Sequence, residues 1–328
     1  MSLKKQKYMN KYIITERQGG LGDIFATFIG TWILAKYSNR EVIIDWRRNP
    51  YNWYCGNNIK QKLSGAYVPI NSFLTIFDVP TTLCGVNFYL PEHISEYGVR
   101  NNEYNFWVYN DLQLLSQNSS NIEESNSILF SDDIFVRNEI RFGTLCTGSP
   151  INMNLESYFD EKIKINDFFE HIKINQFISS KIKFYENLFL NKKVCGIHIR
   201  HGNNTEVTNP LRYPNWISDD DLIKNIKREI KQFCEEEYYF FICTDTEKIN
   251  NLILKEIPNS FSLSKEYSYE KENCLLLNDR INPISSFQQA FLDMYFLTKC
   301  SKLLYTRESV FTLIPQYYYN IKDKKSIF

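Results

Sequence analysis

The sequence lacks the features that mark several well-defined classes of protein. Its 38 basic and 38 acidic residues cancel, so no long-range attraction to nucleic acid or to an acidic surface is expected. No stretch reaches the roughly 18 apolar residues that a membrane-spanning helix needs. The eight cysteines form no C-x-x-C pair, and we interpret them as reduced core residues of a cytosolic protein rather than as a disulfide or metal framework.

The N-terminal segment also lacks the pattern of a signal peptide. It begins with several lysines but contains no apolar segment of the required length. We therefore expect a cytoplasmic protein, and a peripheral contact with the inner face of a membrane stays open. What the chain has in quantity is aromatic side chains, with 22 Tyr and 24 Phe, which we interpret mainly as core residues.

Two regions of the sequence alternate between strand patterns and helix patterns. In the first, residues 11–15 and 41–46 predict strands on either side of a helix over 24–37. In the second, after about residue 191, apolar strand patterns alternate with helix patterns, and a last helix is predicted from Ser309. Such alternation is typical of parallel sheets covered on both faces.

A chain of 328 residues is long enough for about two domains. We therefore predict an α/β protein with two Rossmann-like domains, 1–185 and 186–328, that face each other across a cleft. The sequence does not predict the order of the helices and strands over about 52–190, between the two alternating regions.

Polar residues follow the predicted strands of the second region at the point where each strand ends. The strand VCGIHI runs into Arg200, His201 and Asn203, the next strand runs into Asp245, and the last one precedes Ser309. In open α/β sheets, ligands bind beyond the carboxyl ends of the strands. The sequence therefore predicts a ligand site at this edge.

Each of these polar residues has more than one interpretation. An arginine at the mouth of a buried strand suits a phosphate, and the alternative for Arg200 is an internal salt bridge to Asp245 or Asp293. Asp293 lies in an apolar helix and needs a partner, either the Arg200 strand end or a ligand hydroxyl. Ser309 starts an anion-binding helix terminus or is a plain cap, and His198 is more often a core residue than a catalyst.

The first region contains the glycine-rich sequence GGLGD at 19–23. It has neither the G-K-[ST] of a P-loop nor the spacing of G-x-G-x-x-G, and the close passage of backbone at a turn explains its glycines. Asp23 and Asp45, with Arg47, are the polar groups that this half would present to the cleft.

The motifs GIHIRHGNN, CTD, FLDMYFL and ESVFT occur in that order, after GGLGD and IDWR. Together they resemble the motifs of the nodulation-factor α1,6-fucosyltransferases and the related core fucosyltransferases. The resemblance implies a GT-B-like fold and the inverting transfer of fucose from GDP-fucose to a sugar hydroxyl, with no required metal. The absence of a D-x-D motif at a strand end agrees with this implication.

The resemblance also assigns residues to the donor. Those that it places around GDP-fucose are Arg200, His201, Asn203, Asp245, Asp293, Ser309 and Phe311. It implies that Arg200 contacts the diphosphate, that the two aspartates face guanine, ribose or neighbouring polar groups, and that Ser309 and Phe311 border the phosphates. For the catalytic base, it favours Glu206, with Asp23 or Asp45 as alternatives.

We therefore expect a GDP-fucose-dependent transferase that decorates a bacterial cell-surface or secreted glycan. The acceptor would be an oligosaccharide or a glycolipid, and no nucleic acid partner is expected. Two alternatives remain: a GT-B transferase that uses another sugar nucleotide, such as a GDP-hexose or ADP-heptose, and a catalytically silent nucleotide- or sugar-binding protein of the same fold.

Overall fold

The structure of the protein is a computed structural model. The residues that it describes are 12–15, 21–37, 41–46, 60–63, 66–69, 71–79, 82–83, 85–93, 134–136, 172–200, 218–234, 237–267, 283–306, 309–312, 314–318, 321 and 323–327. None of the helices in these segments is long and apolar enough to cross a membrane.

The first half of the chain forms a five-stranded sheet in the order β5-β6-β2-β1-β7 and a separate two-stranded hairpin, β3-β4. Its elements are β1 (Tyr12–Thr15), α1 (Leu21–Tyr37), β2 (Glu41–Ile44), β3 (Lys60–Leu63), β4 (Ala66–Pro69), β5 (Thr82–Leu83), β6 (Val86–Tyr89) and β7 (Ile134–Val136). The predicted βαβ unit is present, because β1 and β2 pair in parallel on either side of α1. The helix starts at Leu21, inside the glycine-rich motif and earlier than predicted.

The second half forms a sheet in the order β10-β9-β8-β11-β12, in which every pairing is parallel. Its elements are α2 (Gln176–Glu186), β8 (Lys193–Ile199), α3 (Asp219–Phe233), β9 (Tyr238–Thr244), α4 (Glu247–Glu256), β10 (Ser260–Phe261), α5 (Pro283–Leu297), β11 (Lys302–Tyr305) and β12 (Asp323–Ser326). The central strand β8 is buried from Val194 to Ile199. This burial explains why its sequence is a continuous apolar run rather than an alternating one.

Gly196 lets α5 lie close to β8. A Cβ atom at this position would come within 2.6 Å of Leu297 Cδ2 and 3.2 Å of Cys300 Sγ. Both of those side chains are buried in the core. A larger residue at 196 would therefore push the end of the helix away from the sheet.

The C-terminal end of the fold differs from the sequence prediction. Instead of an α-helix from Ser309, the chain forms a short 3₁₀ turn over Val310–Thr312 and a π-helical turn over Ile314–Tyr318. Pro315 lies in this stretch, and proline lacks the N–H that a regular helix would use. The chain then adds β12, which pairs with β11 and was not predicted because its sequence, DKKS, is polar.

One hydrophobic cluster contains buried residues of both halves and is built around α5, and a second cluster, which includes Ile197, Ile226 and Ile253, lies within the second half. Phe291 of this helix stacks on Phe25 of α1 with ring centroids 5.9 Å apart and meets Phe77 edge-on at 5.3 Å. Phe287 packs against Trp46 at 6.3 Å. These aromatic contacts join the two halves directly, and the prediction of two domains that face each other across a cleft stays a prediction. The domain boundary predicted after residue 185 falls at the end of α2 and stays a prediction.

Candidate functional site

The carboxyl ends of β8, β9 and β11 meet at one edge of the second sheet. The register pairs Ile199 with Thr244 and His198 with Tyr305. The backbone N–H of Arg200, the first residue after β8, donates to Thr306 Oγ1 at 3.0 Å. The polar residues that follow these strands are therefore neighbours in space, as parallel pairing predicts.

Arg200 and Asp245 form an ion pair at this edge, between Nη1 and Oδ2. The arginine side chain is 39% exposed and the aspartate side chain 23% exposed. This is the internal salt bridge that the sequence left open as an alternative to a phosphate contact. Because the guanidinium is partly exposed, an anionic ligand can still reach it from solvent and compete with Asp245 for its N–H donors.

His198 is buried beneath this ion pair. Its imidazole stacks on the Phe311 ring, with centroids 5.1 Å apart and the planes 15° from parallel. Burial lowers the pKa of His198 to about 3, against the opposing effect of Asp245. The ring is therefore neutral near pH 7, and its Nδ1 is buried without a hydrogen-bond partner in the described segments.

We expect this buried imidazole to make stability depend on pH. The folded pKa of about 3 lies below the unfolded value near 6.5, so between these values the unfolded chain binds more protons. Stability is then fully present above about pH 6.5 and falls as the pH drops below it, by up to about 1.4 kcal/mol per pH unit.

Urea unfolding of the wild type and of His198→Gln at about pH 7.5, 6.5 and 5.5 measures this contribution. The free-energy gap between the two chains should narrow as the pH falls. The exposed Phe177 provides a control, because Phe177→Ser neither adds nor removes an ionisable group and should keep the pH dependence of the wild type. A gap that stays constant from neutral to acidic pH would contradict the prediction.

A buried ion pair that was not predicted lies beside these strand ends. Lys265 Nζ is 2.6 Å from Asp293 Oδ2 and also donates to the backbone carbonyl of Thr244 at 2.8 Å. The two charged side chains are only 8% and 7% exposed. The partner of Asp293 seen in the structure is thus Lys265, whereas the sequence predicted the Arg200 strand end or a ligand hydroxyl.

The protonation of this pair reflects opposing effects. Burial would lower the pKa of Lys265, but Asp293 and the neighbouring Cys243 and Tyr267 outweigh it and raise the pKa. Burial raises the pKa of Asp293, and Lys265 acts in the opposite direction. The raised pKa of Lys265 is what a charged partner would cause, whereas the raised pKa of Asp293 favours the neutral form of that carboxyl group. The 2.6 Å contact and the bond to the Thr244 carbonyl favour the charged pair.

Lys265 could have been identified from the sequence as a candidate site residue, because it also follows a predicted strand at the edge where ligands bind. It follows β10 in the run FSLSKE, and β10 pairs in parallel with β9. Its ammonium group lies 5.0 Å from the centre of the Tyr267 ring. Asp293 Oδ1 is buried and lacks a hydrogen-bond partner in the part of the chain that the structure describes.

Ser309 and Phe311 lie in the turn after β11. The carbonyl of Ser309 accepts hydrogen bonds from the backbone N–H of Thr312 at 3.2 Å and from its hydroxyl at 2.9 Å. This is a short 3₁₀ turn, so the α-helix terminus that was predicted to bind an anion at Ser309 is not formed there. Phe311 instead covers His198, while the diphosphate contacts predicted for both residues stay predictions.

The other predicted site residues are placed only in part. His201, Asn203, Glu206 and Arg47 lie outside the described residues. Asp23 lies on α1, and Asp45 is buried directly after β2. Within the described segments, no group of three or more His, Cys, Asp or Glu side chains could hold a metal ion.

Comparison with known proteins identifies relatives of this chain. The protein-family model for Nodulation protein Z (NodZ) matches residues 9–321. Nodulation protein Z of Azorhizobium caulinodans is 23% identical over 318 residues, which cover 92% of this chain and 88% of that protein. The family match includes β1 to β11 and the strand ends described above, and it ends before β12.

Solved structures of similar fold agree with this match. The crystal structure of fucosyltransferase NodZ from Bradyrhizobium aligns with a TM-score of 0.61 at 18% identity, covering 94% of this chain and 92% of that one. A NodZ alpha-1,6-fucosyltransferase structure soaked with GDP-fucose aligns with a TM-score of 0.59, also at 18% identity, covering 96% and 93%. The predicted GT-B-like α/β fold is confirmed.

Proposed function

The chain belongs to the Nodulation protein Z (NodZ) family, and from this membership we propose that it transfers fucose from GDP-fucose to a hydroxyl of a glycan acceptor. The observation that carries the proposal is the family match over residues 9–321. The relatives include NodZ structures described as an alpha-1,6-fucosyltransferase and as soaked with GDP-fucose. An α1,6 linkage would require the primary hydroxyl on C6 of the acceptor sugar.

We assign donor binding to residues 186–328, because the polar strand ends of the second sheet lie there. Residues 1–185 then form the acceptor side. In this assignment Arg200 leaves Asp245 to bind the diphosphate of GDP-fucose, since both side chains are partly exposed. A guanidinium fork suits phosphate oxygens and stabilises the negative charge that develops on the departing GDP.

The transfer forms a bond between the acceptor oxygen and C1 of fucose while the bond from C1 to the phosphate oxygen breaks. The acceptor hydroxyl gives its proton to a base on the opposite side of the sugar. Glu206 is our first candidate for this base, with Asp23 and Asp45 as the alternatives. Asp45 is buried in the described structure, so it would need a change of environment to reach an acceptor.

A transfer assay tests the proposal. Purified protein is incubated with GDP-fucose and a panel of oligosaccharides that carry a free C6 hydroxyl, with EDTA present, and the products are analysed by mass spectrometry. The expected result is the addition of one deoxyhexose and the release of GDP without added metal. A strict metal requirement would contradict the metal-independent mechanism, and failure to turn over GDP-fucose with any acceptor would favour a silent binding protein.

The identity of the donor is tested separately by thermal shift. GDP and GDP-fucose should both raise the melting temperature, because a ligand that binds only the folded state stabilises it. Stabilisation by ADP-heptose but not by GDP would favour the alternative transferase, and stabilisation by a GDP-hexose with transfer of that sugar would replace fucose as the donor.

We further propose that α2 provides the peripheral membrane contact. Phe177 and Phe184 are 56% and 73% exposed and lie seven residues apart, on one edge of the helix. The ammonium group of Lys181 lies 4.7 Å from the centre of the Phe177 ring. Residues 173–193 contain five lysines and one glutamate. Exposed aromatic side chains among lysines are typical of surfaces that bind anionic bilayers.

Sedimentation with lipid vesicles tests this contact. Wild-type protein should bind vesicles containing about 30% anionic lipid more strongly than neutral ones, and added salt should weaken the binding. Phe177→Ser/Phe184→Ser should lower the binding at least about tenfold, because two aromatic side chains no longer enter the bilayer. Asn251→Ser, at an exposed position on α4, is the control. Equal vesicle binding by the double variant and the wild type would exclude α2 as the membrane contact.

A further inference from the structure

Lys265 connects three elements at the carboxyl edge of the second sheet. It follows β10, its ammonium group reaches Asp293 Oδ2 on α5 at 2.6 Å, and it also donates to the carbonyl of Thr244 at the end of β9 at 2.8 Å. With less than a tenth of either charged side chain exposed, the ammonium group is held in a fixed position. These contacts fix the orientation of the Asp293 carboxylate.

The two oxygens of this carboxylate have different surroundings. Oδ2 is bound by Lys265, whereas Oδ1 is buried and has no hydrogen-bond partner within the described segments. Buried polar atoms in native structures usually have a partner, so a group left without one is explained by a water or a ligand. A carboxylate oxygen only accepts hydrogen bonds. Its missing partner is therefore an N–H or O–H donor.

A further buried polar atom at these strand ends, Nδ1 of His198, also lacks a partner within the described segments. A polar ligand bound beside the strand ends would supply such partners. In GDP, the nucleoside carries N–H and O–H donors, whereas the ionised diphosphate carries only acceptors.

We propose that Lys265 is a positioning residue for the nucleoside part of bound GDP. It keeps Asp293 charged and holds Oδ2, so that Oδ1 accepts a hydrogen bond from the nucleoside. This role rests on the proposed function, because GDP is the nucleotide of the proposed donor. It separates the recognition of the nucleoside by Lys265 and Asp293 from the recognition of the diphosphate by Arg200.

Calorimetric titrations with GDP and with inorganic pyrophosphate distinguish the two kinds of recognition. Lys265→Met should weaken GDP binding between about 10- and 100-fold, because a hydrogen bond to a charged group is lost, and should leave pyrophosphate binding within about twofold of wild type. Lys265→Arg keeps the positive charge and should recover most of the GDP affinity. Lys227→Met is the matched control, since Lys227 forms an exposed pair with Glu256 on helices α3 and α4.

The double variant Lys265→Met/Asp293→Leu separates positioning from stability. It removes both charges together, so it should fold stably and still bind GDP weakly. Wild-type GDP affinity in this stable variant, or an equal loss of GDP and pyrophosphate affinity in Lys265→Met, would overturn the positioning role. If the wild-type chain bound no GDP, the proposed function would fail and the inference with it, whereas normal GDP binding by Lys265→Met would overturn the inference alone.

Discussion

Replacing Arg200 with alanine should lower kcat/KM for fucose transfer about 100- to 1,000-fold, which is the usual effect of removing one group that stabilises charge in a transition state. Arg200 lies at the end of the central strand β8, and its backbone is fixed by the hydrogen bond to Thr306. The loss should appear mainly in the chemical step and in donor binding.

The stability of the Arg200→Ala variant should change little. The Arg200–Asp245 pair is partly exposed, and such pairs contribute about 0–1 kcal/mol. Steady-state kinetics with GDP-fucose and a urea unfolding curve, measured on the same preparation, separate the two effects. Arg200→Lys should also be impaired, since a lysine cannot bind two phosphate oxygens with a planar fork.

Arg228→Ala is the matched control for this substitution. Arg228 lies on α3, where it is exposed and pairs with the neighbouring Glu229. Its removal should leave kcat/KM unchanged. If Arg200→Ala retained wild-type transfer, the ion pair with Asp245 would be purely structural and the diphosphate would be bound by other groups.

The second sheet could be predicted well from the sequence because its strands are buried on both faces. β8 and β9 are apolar runs that end abruptly in Arg200 and Asp245, and parallel pairing then requires the strand ends to meet. The start of α3 also follows from local sequence, since Ser218 precedes three aspartates and its hydroxyl oxygen accepts a hydrogen bond from Asp221 N–H at 3.2 Å. These features depend on local sequence alone.

Other features depend on contacts between distant parts of the chain. The strand β12 lies at the edge of its sheet and pairs with β11. Its own polar sequence does not predict a strand, because the pairing depends on β11. The core that joins the two sheets depends on Phe25 and Phe291 meeting across 266 positions. Both residues lie in predicted helices, but the helical pattern of the sequence could not show that the two side chains pack against each other.

The same limit applies to the candidate site. The sequence identified Asp293 as a buried carboxylate in need of a partner, and Arg200 as a cation in need of an anion. It could not choose between Asp245 and Asp293 as the salt-bridge partner of Arg200. In the structure Arg200 pairs with Asp245, and Asp293 pairs with Lys265, which follows a different strand. Which charges meet is decided by the geometry of three elements together, not by any one of them.

Replacing Lys265 with methionine should lower the free energy of unfolding by about 3–5 kcal/mol. The substitution leaves the Asp293 carboxylate buried without its cation, and breaking a buried pair from one side typically costs this much. Since domains are usually stable by only about 5–15 kcal/mol, the variant should unfold at much lower urea concentration. Urea unfolding near neutral pH, followed by circular dichroism, measures the change.

The loss in the free energy of unfolding should largely disappear when both charges are removed. Lys265→Met/Asp293→Leu replaces the pair with apolar side chains of similar size, and such exchanges are often neutral or stabilising. Lys227→Met breaks the exposed pair with Glu256, whose N–O distance of 2.7 Å is similar to that of the buried pair. It should lower the free energy of unfolding by no more than about 1 kcal/mol. If Lys265→Met were as mild as this control, Asp293 would be neutral in the folded protein, and Lys265 would not be what keeps the carboxylate in place.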